Sequence, residues 1–431
     1  MPVLRRLLLS CCLVLAGAAL LALSAPAHGQ QSAPPCGELG VIVTQPIVDP
    51  ARFCPEYLVE ELPHSATAAI TSLAYAPMCE QLDAPRDWCG ALFFARPDVG
   101  AVWWVGDFDP DTLGYALHVF AEELDTPNGL AWDGDTLYVA TETGITRLAD
   151  RDGDGSVDER AILVDDLPHG AGQWTGSIDI GPDGRLYVSK GASCNACTEA
   201  DPRRGAILSY APDGDDMQIV ASGLHTAFDF AWHPASGELW ASESERPGLG
   251  ESLPLDELNR VTAAGRDFGW PDCYTGPDGL IAADDARSGC TDTTAPALTV
   301  EAGSAPAGLT FYAGDAFPDL AGDLLVVTRG SWNRRIPSGY ALYRVCFDDA
   351  GELTPCRAAD GSPILDEAEQ PAVRERLIPQ DTFYGYGLDI LQIQGQSFYP
   401  DHPVDIAVSP EGYLTLSVLE GRIIRVRPAP G

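Results

Sequence analysis

The residues able to do chemistry in this chain are few, and most fall between segments patterned as strands. Three of the seven histidines, His169, His225 and His402, stand just ahead of such segments. Imidazole titrates near neutrality, so three of them gathered at one end of a fold could serve as general base or ligand; a solvated loop histidine is the competing reading for each. His64 and His118 have no partner in the sequence, and His233 precedes a turn, so these three read as structural. In ADRDGDGSVDER (residues 149–160), Asp150, Asp152, Asp154, Ser156 and Asp158 alternate around Gly155. That spacing lets successive oxygens converge on one hard cation, as in a calcium loop. The twelfth position is Ala161 instead of a bidentate Glu, and strands flank the stretch, so an acidic solvated turn stays open as the alternative.

Apart from Cys11 and Cys12, the cysteines lie in close pairs: Cys36 with Cys54, Cys79 with Cys89, Cys194 with Cys197, Cys273 with Cys290, and Cys346 with Cys356. In an exported chain such pairs read as local disulfides. The Cys-x-x-Cys at 194–197 has two other readings, a redox dithiol or half a zinc site. Neither the following helix nor a second ligand pair at zinc spacing is present in the sequence. There is likewise no Gly-x-Ser-x-Gly elbow, dinucleotide fingerprint or P-loop.

The elements that must position these residues repeat. Residues 167–197 read LPHGAGQWTGSIDIGPDGRLYVSKGASCNAC: an alternating strand over 176–180, a Pro-Asp-Gly turn, a second strand over 185–189, then the cysteine pair. Alternation on both sides of the turn predicts half-buried antiparallel strands. Versions of the same hairpin begin at Gly90, Pro127, Ala227, Ala307 and Val404. Self-similarity at blade length, with no helical period, predicts an all-β, six-bladed β-propeller with disulfide-clipped loop insertions. The long segments 248–300 and 347–399 are insertions of the kind that cover a site.

Composition bounds the partners. The formal net charge is −37 and Lys190 is the single lysine. So acidic a surface repels phosphate backbones and anionic membranes, which excludes nucleic acid; salt adaptation or solubility accounts for it without any specific partner. Arg5 and Arg6 precede an apolar run over residues 7–23 that ends in small residues, a secretory signal cut near Gly29 or Gln30. An uncleaved anchor and a lipoprotein signal are the other readings of that segment. The expected organisation is a signal peptide over 1–30, an N-terminal arm over 31–63 and the propeller over 64–431. The mature chain is expected outside the cytoplasm, secreted or periplasmic, with no membrane insertion after cleavage.

The motifs IGPDGRLYVSKGASCNAC (180–197), GLHTAFDFAWHPASGELW (223–240), LPLDELNRVTAAGRDFGWPDC (253–273), FYAGDAFPDLAGDLLVVTRGSWNRRIPSGY (311–340) and HPVDIAVSPEGYL (402–414) carry a resemblance. The chain is similar over roughly residues 110–428 to the glucose/sorbosone dehydrogenase family, soluble sugar dehydrogenases that use pyrroloquinoline quinone with calcium on a six-bladed propeller. The resemblance implies a base at the position of Gln173, whose amide cannot take a proton. It implies Arg-Asn where this chain has His225-Thr226, a His where it has Arg329, and Gly-Arg-Pro-Val where it has Asp401-His402-Pro403-Val404. Arg329 keeps the ability to anchor a carboxylate. Cofactor contacts are therefore expected from His225, Thr226, Arg329 and His402. Three functions follow: oxidation of a sugar or aldose by hydride transfer to the quinone, with His169 or His225 replacing the base and an external electron acceptor; a non-catalytic relative binding a carbohydrate or protein; and metal-dependent lactone hydrolysis, for which no converging carboxylates can be assigned.

Overall fold

The computed structural model describes residues 52–60, 62, 69–109, 114–173, 175–284, 286–287, 289–331, 334–335, 337–358, 360–366, 368–378 and 401–429. Strand β1 (Phe53–Val59) comes first and joins the last blade. Blade one is β2 (Leu73–Tyr75), β3 (Leu92–Arg96), β4 (Ala101–Asp109) and β5 (Gly114–Ala121); blade two is β6 (Gly129–Asp133), β7 (Thr136–Ala140), β8 (Ile145–Ala149) and β9 (Glu159–Val164). Blade three is β10 (Thr175–Ile180), β11 (Leu186–Lys190), β12 (Ala206–Tyr210) and β13 (Gln218–Ser222). Blade four is β14 (Ala227–Trp232), β15 (Leu239–Glu243) and β16 (Asp256–Val261), completed by β20 (Leu298–Val300). Between β16 and β20, β17 (Arg266–Asp267) pairs in parallel with β13, and β18 (Cys273–Gly276) forms a hairpin with β19 (Gly279–Ala282). Blade five is β21 (Pro306–Phe311), β22 (Leu324–Thr328), β23 (Ala341–Val345) and β24 (Arg374–Ile378). Blade six is β25 (Pro403–Val408), β26 (Leu414–Val418) and β27 (Arg422–Pro428), with β1 antiparallel to β27 as its outer strand. The ring thus closes by pairing the start of the described chain with its end, so part of the stretch expected as an N-terminal arm is blade structure.

The inner strands β2, β6, β10, β14, β21 and β25 contact one another in sequence around a central channel. Some of these contacts are backbone to backbone. A Cβ on Gly176 would lie 2.4 Å from the Phe228 carbonyl oxygen, and one on Gly308 2.4 Å from Asp405 Cα. Only glycine fits where the strands converge so closely. Carboxylates stitch other joints: Asp229 Oδ2 accepts from the Leu309 N–H at 2.8 Å, and Asp405 Oδ2 from the Leu73 N–H at 2.6 Å. The first links blades four and five, the second blades six and one.

Each of the six blade interfaces holds its own hydrophobic cluster. In β7, Leu137 and Val139 pack toward blade one while Tyr138 and Ala140 pack toward blade three. The central strands are therefore buried on both faces, not half-buried as the alternation alone suggested, because each sheet lies between two neighbours. Full burial of an aliphatic side chain contributes roughly 1.5–3 kcal/mol, and the repetition around the ring sums that over six interfaces. The disulfides Cys79–Cys89, Cys194–Cys197, Cys273–Cys290 and Cys346–Cys356 follow the local pairing expected. Cys54 is also disulfide-bonded, and Cys36 and the signal segment lie outside the described residues. No helix among the described residues is long and apolar enough to cross a membrane.

Candidate functional site

Strand pairing decides which loops meet. Thr175 lies opposite Lys190, Ala227 opposite Glu243, Pro306 opposite Thr328 and Pro403 opposite Val418. The loops entering these inner strands and those leaving their partners therefore gather at one end of the channel. Two adjoining cavities open there, of 320 Å³ and 310 Å³. The inner one reaches into the channel past Ser72, Asn128 and Ser177 to Asp229 and Asp405. The outer one is walled by residues of the β15–β16 and β22–β23 loops, among them Glu245, Arg246 and Arg334, and by Asp256 at the start of β16. Gln173, Thr226, Phe228 and Arg329 line both.

Of the expected site residues, Gln173, His225, Thr226 and Arg329 are brought together here. Two hydrogen bonds tie the first pair: Gln173 N–H donates to the Ala192 carbonyl at 2.7 Å, and Ala192 N–H to the His225 carbonyl at 2.9 Å. His169 lines neither cavity; it is exposed, with Nδ1 3.1 Å from the Leu167 carbonyl. His402 also lines neither, and its Nδ1 is 2.5 Å from Glu420 Oε1. The aspartate loop is at the other end. Ala149 and Glu159, which bracket it, pair at the same end as the β6–β7 turn. Asp150, Asp152 and Asp158 there hold carboxylate oxygens within 4.8 Å of one another, a group of acids that does not include Asp154. The loop is preformed: buried Asp150 accepts from Gly153 N–H, Gly155 N–H and Trp88 Nε1 at 2.6, 2.8 and 2.7 Å.

His225 is the best-defined chemical group at the cavity end. Its backbone N–H and that of Thr226 both donate to Glu243 Oε1, at 2.6 and 2.9 Å. Its Nδ1 lies 3.0 Å from the Ser244 carbonyl oxygen and 3.1 Å from Thr226 Oγ1; the carbonyl can only accept, so the bond to it places the proton on Nδ1 and leaves the hydroxyl as a second neighbour of that N–H. Nε2 is left with the lone pair, buried and without a partner among the described residues. Burial lowers the pKa of the ring; the bond to the Ser244 carbonyl opposes this, and the charge of Arg246 adds to it. The imidazole is therefore neutral at neutral pH, its basic Nε2 buried within a residue that lines the outer cavity.

Sequence reasoning missed the buried acids and Arg246. Burial pushes the carboxyls of Glu243 and Glu245 well up, and that of Asp256 up to about 7. On the channel floor burial likewise raises Asp229 to about 6 and Asp405 well above the ordinary range. An acid inside an otherwise apolar strand, as in AFDFAW and VDIAV, is the signal that marks the last two. With these acids held toward the neutral form, the guanidinium groups of Arg246 and Arg329 make the outer cavity suited to a ligand carrying carboxylates. Arg329 is half-buried against Phe228, its Cζ 5.8 Å from the ring centre.

Residues 133–331 match the family model for Glucose / Sorbosone dehydrogenase. An uncharacterized protein of Borreliella burgdorferi is 30% identical over 166 residues, a match covering 38% of this chain and 43% of the relative. The chain thus spans well under half the length of the curated relative it matches. Among solved structures, the calcium structure of a Trichoderma reesei carbohydrate-active enzyme of family AA12 superposes with a TM-score of 0.68 at 18% identity, over 90% of this chain and 98% of that one. The holo pyranose dehydrogenase PQQ domain from Coprinopsis cinerea gives 0.65 at 16% identity, over 89% and 97%. The apo soluble aldose sugar dehydrogenase from Escherichia coli gives 0.59 at 15%, over 87% and 99%. At these identities the likeness to solved structures is one of fold.

Proposed function

We propose, from the premise that the chain belongs to the glucose/sorbosone dehydrogenase family, that it oxidises a sugar or aldose with pyrroloquinoline quinone, His225 standing in for the family's base. The observation that carries this is the neutral His225, which lines the outer cavity together with Gln173 and keeps an unpartnered Nε2. The residues fit the cofactor: the quinone bears carboxylates, and the outer cavity offers Arg246 and Arg329 while its acids are held toward the neutral form. When bound, the quinone supplies a two-electron acceptor for hydride. The chain's own residues do the rest. With the cofactor held, Nε2 would accept the proton of the sugar hydroxyl, and the Ser244 carbonyl would brace the Nδ1–H of the imidazolium so formed. The Gln173 amide can orient the reacting oxygen but holds no proton. Arg329, shared by both cavities, would hold a cofactor carboxylate.

The test is to add pyrroloquinoline quinone and calcium to the purified protein and follow the cofactor spectrum together with aldose oxidation by an artificial electron acceptor. Turnover is expected, and His225→Gln should lower it about 10²-fold to 10⁴-fold. No spectral change and no turnover would leave the non-catalytic carbohydrate-binding reading in its place. For the remote aspartate loop the proposed role of calcium is structural: it would clamp the β8–β9 turn. A chelator should then lower the thermal midpoint of the calcium-loaded protein, and an unmoved midpoint would make the loop an acidic turn.

A further inference from the structure

Arg246 lies in the β15–β16 loop in the wall of the outer cavity and is 6% exposed. Its guanidinium makes no ion pair among the described residues. Nε is buried without a partner, and Cζ sits 5.4 Å from the centre of the Tyr274 ring. Scarcity of acids does not explain this. The chain has 63 acidic residues against 26 basic ones, and Arg203, Arg260 and Arg374 are each clasped by carboxylate. Glu245, its neighbour in sequence, accepts Arg246's own backbone N–H at 3.1 Å and is pushed toward its neutral form by burial. A buried, unclasped guanidinium is costly unless something else neutralises it.

We propose that Arg246 is an anion anchor: it takes a carboxylate of the ligand that fills the outer cavity. Tyr274 flanks the guanidinium, and the two terminal nitrogens offer the paired donors that match a carboxylate. The carboxylate has two possible sources, the quinone cofactor or an acidic sugar such as a uronate. The assignment deepens the dehydrogenase reading but needs only binding to be tested.

Calorimetric titration of the wild type and Arg246→Gln, with pyrroloquinoline quinone, glucuronate and glucose as separate probes, decides it. A charge-assisted pair predicts a loss of about 10-fold to 100-fold for the probe whose carboxylate Arg246 holds, with glucose unaffected. Weakening of the quinone alone assigns the anchor to the cofactor; weakening of glucuronate alone assigns it to the substrate. Arg246→Lys should lose less than Gln, and wild-type affinity for the anionic probe should fall with added salt. These two measurements carry the test if Arg246→Gln does not fold. Equal affinities in wild type and variants, or no binding of either anionic probe by the wild type, would overturn the anchor. Bound probes without any sugar oxidation would instead remove the dehydrogenase reading and leave the anchor standing.

Discussion

At the scale of the residue, the site turns on where the proton of His225 sits. The Ser244 carbonyl keeps it on Nδ1, and burial together with the Arg246 charge keeps a second proton off Nε2. A base with a lowered pKa is active in its neutral form, so its activity is lost only when the pH falls through that lowered value. The acid limb that His225 imposes on kcat/KM is therefore expected below the ordinary histidine value of about 6.5. Measuring kcat/KM from pH 4.5 to 8 checks this; a limb centred above 7 would assign the base elsewhere. Gln173 adds no ionisation of its own, whereas Asp256 in the outer cavity, raised by burial to about 7, titrates above that limb.

At the scale of the element, the β11–β12 loop supports the histidine from outside. Cys194–Cys197 closes a tight ring around Asn195, whose Nδ2 donates to the Pro247 carbonyl at 3.0 Å and whose own carbonyl accepts from Trp270 Nε1 at 3.0 Å. Trp270 in turn lies 5.9 Å from the His225 ring. The ring therefore pins the outer cavity's loop and the indole beside the base. Replacing both cysteines with serine should cost about 2 kcal/mol of stability from the lost constraint. It should also raise KM about fivefold with a smaller effect on kcat, since the loop must then be ordered on binding. An unchanged KM would reduce the clip to a local staple. The contrast in what the sequence disclosed is physical. The hairpins were legible because strand period and turn chemistry are local, and six copies restate them. His225 was legible as a histidine just ahead of one of those hairpins, and Arg329 through the family resemblance that its motif carries. Arg246 was not: it lies in an irregular loop, and its burial comes from Tyr274, 28 residues onward, across a hairpin that no periodicity announces. Glu243 read as part of a general acidity, because only the folded chain sets its carboxyl beneath the His225 and Thr226 amides.

At the scale of the whole molecule, the acids divide into a charged surface and a buried set around the channel and the site. Burial raises Asp179 and Asp256 to about 7 and Asp229 to about 6, with Glu243, Glu245 and Asp405 also well up. A carboxyl whose folded pKa exceeds its unfolded one binds its proton more tightly in the native state. Its contribution is thus most favourable below the unfolded value near 4 and is lost as the pH rises through the folded value. For Asp256 alone a shift from 3.8 to about 7 corresponds to on the order of 4 kcal/mol. The surface works in the same direction, since a net charge of −37 repels itself most when every acid is ionised. Chemical unfolding should therefore show greater stability at pH 5 than at pH 8, and added salt should recover part of the difference at pH 8 by screening the surface but not the buried acids. A midpoint that is equal or higher at pH 8 would mean that the channel acids stay ionised in the folded state. Asp229 and Asp405, which bridge neighbouring blades through backbone N–H groups, would then join the blades as charges and not as neutral carboxyls.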